Sequence, residues 1–102
     1  MQYKNKTNIL HWNTQGITTQ SKLTEFKEFI KEKEIDIFLL NETFLKANHK
    51  FKILGYKIYR NDRDSHGGGV LIGIKKTIPH TVQQVTQTTS MESLSIEIKI
   101  NN

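Results

Sequence analysis

Ile35-Asp36-Ile37-Phe38-Leu39-Leu40-Asn41-Glu42 is the stretch on which the fold turns. Its first six residues are apolar apart from Asp36, without the apolar–polar alternation of a half-solvated strand. Such a run predicts a strand over 35–40 that is buried on both faces, as in a parallel sheet covered on both sides. Just upstream, Leu23, Phe26, Phe29 and Ile30 recur at helical spacing, while Lys22, Glu25, Lys27, Glu28, Lys31 and Glu32 take the other faces. That spacing predicts an amphipathic helix over 20–33. Thr18, Thr19 and Ser21 can each cap it. None is followed three places on by Glu or Gln, so no capping box chooses between them.

Residues 7–12, Thr-Asn-Ile-Leu-His-Trp, read as a further strand that ends in the turn-rich Asn13-Thr14-Gln15-Gly16. Strand, helix and strand in this order make a right-handed βαβ unit. Its two strands point the same way, so Asn13 and Asn41-Glu42 are expected at one shared edge of the sheet.

Downstream the pattern changes. Residues 55–60 (Gly-Tyr-Lys-Ile-Tyr-Arg) and 69–74 (Gly-Val-Leu-Ile-Gly-Ile) read as strands around a polar loop, residues 61–68. Pro79 breaks the next connection, 81–88 is a polar strand, and Leu94, Ile96, Ile98 and Ile100 alternate with polar residues as in a half-buried strand. No helical period appears after about residue 50. The predicted class is α/β: a βαβ unit followed by a mostly antiparallel meander. One helix cannot cover both faces of a sheet of this size, and an uncovered apolar face is avoided by isolated domains. Residues 1–102 are therefore expected to be the N-terminal half of a larger domain.

Composition sets wider bounds. A chain of 102 residues, 35% hydrophobic and 25% charged, is an ordinary single-domain composition. The N-terminus carries no apolar segment of the secretory kind, and no apolar run approaches the ~20 residues of a membrane helix. Absence of cysteine excludes a disulfide scaffold and a thiolate metal site, and fits a nuclear or cytoplasmic protein. Net charge is +5, and residues 36–60 hold five bases against two acids. A basic balance favours polyanions such as nucleic acid, although it is equally the look of a solvated lysine-rich surface.

Glu42 stands where a buried strand emerges, the place at which open α/β sheets put their ligands. A carboxylate there suits a hard cation such as Mg²⁺; the alternative is a solvated Glu beginning a loop. Asn13 ends the neighbouring strand, where a neutral amide can orient a carboxylate or bind a phosphate oxygen; it is also a common turn residue. Gly67-Gly68-Gly69 lacks the Lys-Ser/Thr ending of a phosphate loop and precedes a strand, which favours a tight backbone approach instead. Arg60 and Arg63 can contact DNA phosphates, or pair with Asp62 and Asp64. The four histidines are scattered, without metal-ligand spacing, and Trp12, Phe38, Tyr56 and Tyr59 are expected in the core.

Residues 8–17 (Asn-Ile-Leu-His-Trp-Asn-Thr-Gln-Gly-Ile) resemble the opening motif of the exonuclease/endonuclease/phosphatase superfamily, a strand ending in Asn and followed by Gly. Residues 35–43, closing on Asn41-Glu42-Thr43, resemble its second motif, with Asn41 where Gln is usual. Residues 59–63 and 67–72 are similar to the landmark of Jockey-like non-LTR retrotransposon endonucleases. The resemblance implies the N-terminal part of a four-layer α/β sandwich. It implies a Mg²⁺- or Mn²⁺-dependent nuclease that nicks target DNA, with Glu42 holding the metal and Asn13 supporting it as the catalytic pair. A reverse-transcriptase domain would follow in a full-length protein. The family's later motifs, Gly-Asp-x-Asn and Ser-Asp-His, are not in this sequence, so residues 1–102 are expected to be inactive alone. Two other readings remain: a non-catalytic basic remnant binding nucleic acid through Lys46, Lys50, Arg60 and Arg63, and another phosphodiesterase of the same superfamily.

Overall fold

A computed structural model of the chain describes residues 6–63, 67–82, 86–87 and 92–98. Strands β1 (Ile9–Asn13) and β2 (Ile37–Asn41) run parallel, with Ile9 opposite Ile37 and Asn13 opposite Asn41. Helix α1 (Gln20–Glu32) joins them. Its N-cap is Thr19, the middle one of the three candidates, and the Thr19 side chain makes no capping bond. Strands β3 (Tyr56–Asn61) and β4 (Val70–Lys75) complete a mixed sheet in the order β1-β2-β4-β3, β4 lying antiparallel to both its neighbours. Beyond it, β5 (His80–Val82), β6 (Thr86–Gln87), β7 (Glu92–Ser93) and β8 (Ile96–Ile98) form two short antiparallel ribbons, β5 with β8 and β6 with β7.

The two faces of the sheet follow the alternation of side chains along each strand. One face, carrying Phe38, Leu40 and Leu71, is covered by Phe26 and Ile30 of α1 and by Ile17, Leu45, Phe51 and Ile53 from the connections. Burial of each such side chain contributes about 1.5–3 kcal/mol. Trp12 stacks on Phe26 at 5.8 Å, Phe26 meets Phe38 edge-on at 4.9 Å, and Phe38 tilts against Tyr56 at 5.2 Å. The opposite face presents Ile37, Ile72 and Ile74, and Ile78, Leu94 and Ile96 pack there. That face is thus partly covered by the ribbon region, whereas the presence of a single helix led to the expectation that it would be bare. At the β1 end it stays open, with Ile9 59% exposed. No helix among the described residues is long and apolar enough to cross a membrane.

Two sequence expectations change. Of the predicted strand over residues 81–88, residues 81–82 belong to β5 and 86–87 to β6, in different ribbons, while 83–85 and 88 lie outside the described residues. The alternating segment expected from Leu94 onward is strand only from Ile96: β7 ends at Ser93, β8 runs Ile96–Ile98, and the two pair with different strands. Alternation marks which face a residue takes, but not where its pairing partner changes. Residues 99–100 of that expected strand lie outside the described residues.

Two contacts fix the sheet behind the site. A Cβ on Gly73 would lie 2.0 Å from Cζ of the fully buried Phe38 ring, so the aromatic core demands a glycine in mid-strand. Gly73→Ala is expected to destabilise the fold by about 1–3 kcal/mol through overpacking, read as a lower denaturant midpoint. At the far end of β2, Asp36 accepts the Asn8 N–H at 2.8 Å and pairs with Lys75 at 3.4 Å. Nearby, the Tyr56 hydroxyl donates to the Ile35 carbonyl at 2.5 Å. Burial, and then the negative charge of Asp36, push the Tyr56 pKa above its ordinary 10.0. A raised phenol pKa favours the neutral folded form, so its contribution is complete below pH ~10 and is lost as pH climbs through the raised value. Tyr56→Phe is expected to cost about 0.5–1.5 kcal/mol at neutral pH and to flatten the alkaline fall in stability seen in a pH series of unfolding curves.

Candidate active site

The C-terminal ends of β1 and β2 meet at one rim of the sheet, because the two strands run parallel and pair along their whole length, up to Asn13 opposite Asn41. The main chain there continues the pairing beyond the strands proper. On one side Thr14 N–H donates to the Asn41 carbonyl at 3.0 Å, Gly16 N–H to the Glu42 carbonyl at 2.7 Å, and Ile17 N–H to the Thr43 carbonyl at 3.0 Å. The Thr14 hydroxyl adds a second bond to the Glu42 carbonyl at 2.9 Å. On the other side Thr43 N–H donates to the Gly69 carbonyl at 3.2 Å and Phe44 N–H to the Gly68 carbonyl at 2.9 Å. The segment carrying Glu42 is therefore tied to its neighbours on both flanks.

This clamp needs unusual backbone. Glu42 has φ +52° and Phe44 +62°, both in the left-handed region that costs a non-glycine residue about 1–2 kcal/mol. Successive strand residues ordinarily face opposite sides. Asn41 and Glu42 nevertheless both line one cleft of about 210 Å³, together with Arg63, Gly68, Gly69 and Val70. The left-handed turn at Glu42 falls where the alternation breaks.

Each expected site residue can now be placed. The Glu42 carboxylate is half-buried, and it has no hydrogen-bond or ion-pair partner among the described residues. Asn13 stands exposed beside Asn41 on the flank away from the cleft. Its Oδ1 accepts the Gln15 N–H at 3.2 Å, a turn-forming bond that leaves the amide donors of Nδ2 outward and unpartnered among the described residues. Both readings of Asn13, turn residue and polar support, are compatible with this placement. The rim thus offers an acceptor group at Glu42 and a donor group at Asn13.

Arg60 and Arg63 part company. The Arg60 guanidinium grips both carboxylate oxygens of Asp62, the closest at 2.7 Å, and donates at 2.8 Å to the carbonyls of Lys46 and His49. It thereby pins the connection between β2 and β3, so a DNA phosphate would have to compete with an ion pair. Arg63 is exposed and lines the cleft with Glu42. Lys46 Nζ donates to the Arg63 carbonyl at 3.1 Å, and Lys50 is exposed. Asp64 and His66 lie outside the described residues. His49 accepts the Lys46 N–H through Nδ1, and His80 bonds Tyr59 at 2.8 Å, so both have structural partners.

Sequence reasoning missed Thr14 and Thr43. Thr14 and Thr43 are 1% and 0% exposed, and their hydroxyls bond main chain of the clamp. A threonine directly after each candidate polar residue was the available signal. The triple glycine has the structural role favoured for it: all three residues have positive φ, and a Cβ on Gly69 would lie 2.6 Å from the Thr43 hydroxyl oxygen.

The residues present fit a divalent cation in one specific respect. A hard cation takes oxygen ligands and often only one or two carboxylates, substrate phosphate supplying the rest. Among the described residues, the cleft contains a carboxylate without a partner at Glu42 and a buried amide oxygen without one, Asn41 Oδ1. No group of three or more His, Cys, Asp or Glu gathers among the described residues.

Glu42 thus follows the shared end of two parallel strands in a mixed α/β sheet, the rim at which open α/β folds place their ligands. Comparison with known proteins gives the family of the chain. A model of the endonuclease/exonuclease/phosphatase family matches residues 10–102, and the chain belongs to that family. It is similar to two Drosophila melanogaster proteins, the "Probable RNA-directed DNA polymerase from transposon BS" (34% identity over 98 residues, 92% of this chain) and that "from transposon X-element" (39% over 75 residues, 71% of this chain). The matches span only 11% and 8% of those relatives' lengths.

The clamp is open to a direct test. Gly69→Ala meets both a φ of +96° and the Thr43 hydroxyl, whereas Gly55→Ala meets a φ of +87° with nothing within 4 Å. Gly55→Ala is expected to cost more than about 1 kcal/mol from backbone strain alone. Gly69→Ala is expected to cost clearly more, as measured by chemical unfolding of the two variants side by side.

Proposed function

We propose that the chain is the cation-binding half of a Mg²⁺- or Mn²⁺-dependent DNA endonuclease that nicks target DNA for retrotransposition. The observation that carries this reading is the Glu42 carboxylate. It has no partner among the described residues and sits on a main chain bonded from both flanks, at the rim where β1 and β2 end together. A carboxylate kept unpaired on a rigid support is arranged to meet a ligand, since preorganised groups lose little on binding. The transposon origin of the two relatives supports the choice of DNA and of the retroelement setting.

In this reading Glu42 holds the cation. When bound, the cation polarises the scissile phosphodiester and stabilises the leaving oxygen. The outward amide of Asn13 donates to a phosphate oxygen or orients Glu42, and Arg63 contacts the DNA backbone beside the cleft. Arg60 has the lesser part in phosphate binding and acts mainly by holding the 46–49 turn through its bonds to Lys46 and His49.

The test uses a product extended in frame through the second half of the domain, assayed for nicking of supercoiled plasmid. Glu42→Ala is expected to lower Mg²⁺-dependent nicking by roughly 100-fold or more, the scale of losing one preorganised electrostatic group. Residues 1–102 by themselves are expected not to nick. Undiminished nicking by the extended Glu42→Ala variant would remove Glu42 from the chemistry.

A further inference from the structure

We propose that Asn41 supplies a second oxygen, its side-chain Oδ1, to the cation held by Glu42; this rests on the reading of Glu42 as a cation ligand. Buried polar atoms nearly always have a hydrogen-bond partner, so an exception calls for an explanation. Asn41 Oδ1 is buried and has no hydrogen-bond partner among the described residues. The rest of Asn41 is fixed: its carbonyl accepts the Thr14 N–H, and its backbone pairs with Asn13 on one side and Val70 on the other.

The chemistry of that oxygen selects its ligand. An amide oxygen is an acceptor and is completed by a cation, or by a donor such as a cation-bound water. A phosphate oxygen is also an acceptor and cannot complete it. Asn41 lines the same cleft as Glu42 and Arg63, yet Arg63 does not bond its Oδ1. Hard divalent cations accept side-chain amide oxygens alongside carboxylates in mixed oxygen shells. A neutral oxygen next to Glu42 also avoids the like-charge repulsion that a second carboxylate would bring. Asn41 is thereby a ligand-shell residue of the cation, and the step from Asn41 to Glu42 forms one two-residue oxygen donor.

Titration with Mn²⁺ alone, followed by the electron paramagnetic resonance signal of free Mn²⁺, tests this without any turnover. Asn41→Leu keeps the side-chain shape and removes the oxygen. It is expected to weaken Mn²⁺ binding by about 10-fold or more, while its metal-free thermal midpoint stays at or above that of the native chain, since no native hydrogen bond is lost. Asn41→Asp is expected to bind Mn²⁺ more tightly than the native chain. Glu42→Gln is expected to abolish binding. If Asn41→Leu binds within about twofold of native while Glu42→Gln does not bind, the role of Asn41 is overturned and that of Glu42 stands. No Mn²⁺ binding by the native chain, or none lost in Glu42→Gln, overturns both. A lowered metal-free midpoint in Asn41→Leu, with no tightening in Asn41→Asp, assigns Asn41 a structural role and overturns the inference.

Discussion

The parallel pairing of β1 with β2, Asn13 opposite Asn41, is the constraint on which the rest of the molecule depends. A shift of one residue would turn every side chain of a strand to the other face, moving Phe38 and Leu40 out of the helix-side core. The same register decides where the chain leaves the sheet. Because both strands end together, the turn after β1 can donate to the carbonyls of Asn41, Glu42 and Thr43 in succession. The ladder thus runs on past the strands and holds a segment that, by its left-handed residues, would not keep this shape alone.

Support for that segment comes from three places distant in sequence. Thr14 closes it from β1, Gly68 and Gly69 from the approach to β4, and Arg60 with Asp62 steadies the connection that follows. Two glycines are dictated by side chains they must admit: Gly73 by the Phe38 ring and Gly69 by the Thr43 hydroxyl. Phe38 in turn belongs to the aromatic run from Trp12 to Tyr56. Core packing and site geometry are therefore linked through β2 itself, which carries the core on one segment and Glu42 directly after it. The opposite end of β2 has a separate function. There Asp36 is spent on Asn8 and Lys75, at the rim away from the cleft.

Much of this was legible in the chain because it follows from periodicity. The helix, the unalternated β2 run and the shared edge of Asn13 and Glu42 each rest on spacing, and their observed bounds differ from expectation by one or two residues. β2 begins at Ile37 instead of Ile35: Ile35 packs in the core, and Asp36 bonds Asn8 and Lys75 through both its backbone and its carboxylate just before the strand. Atomic packing was not legible. Whether Arg60 would meet Asp62 or solvent, and that Asn41 would be left with an orphan oxygen, depend on distances no pattern encodes. The ribbons after β4 were partly misread for a related reason: strand-like residues do not say which strand each pairs with, and β6 takes β7 while β5 takes β8.

Paramagnetic broadening by Mn²⁺ in amide-resolved NMR of the chain tests most directly whether the rim after β1 and β2 receives a divalent ion. Signals of residues 13–16, 41–44 and 68–69 should weaken first on addition of substoichiometric Mn²⁺, with those of Ile37 and Lys75 at the other end of the sheet retained. Broadening centred on Asp36 and Lys75, or spread evenly over the chain, would contradict a cation site at Glu42.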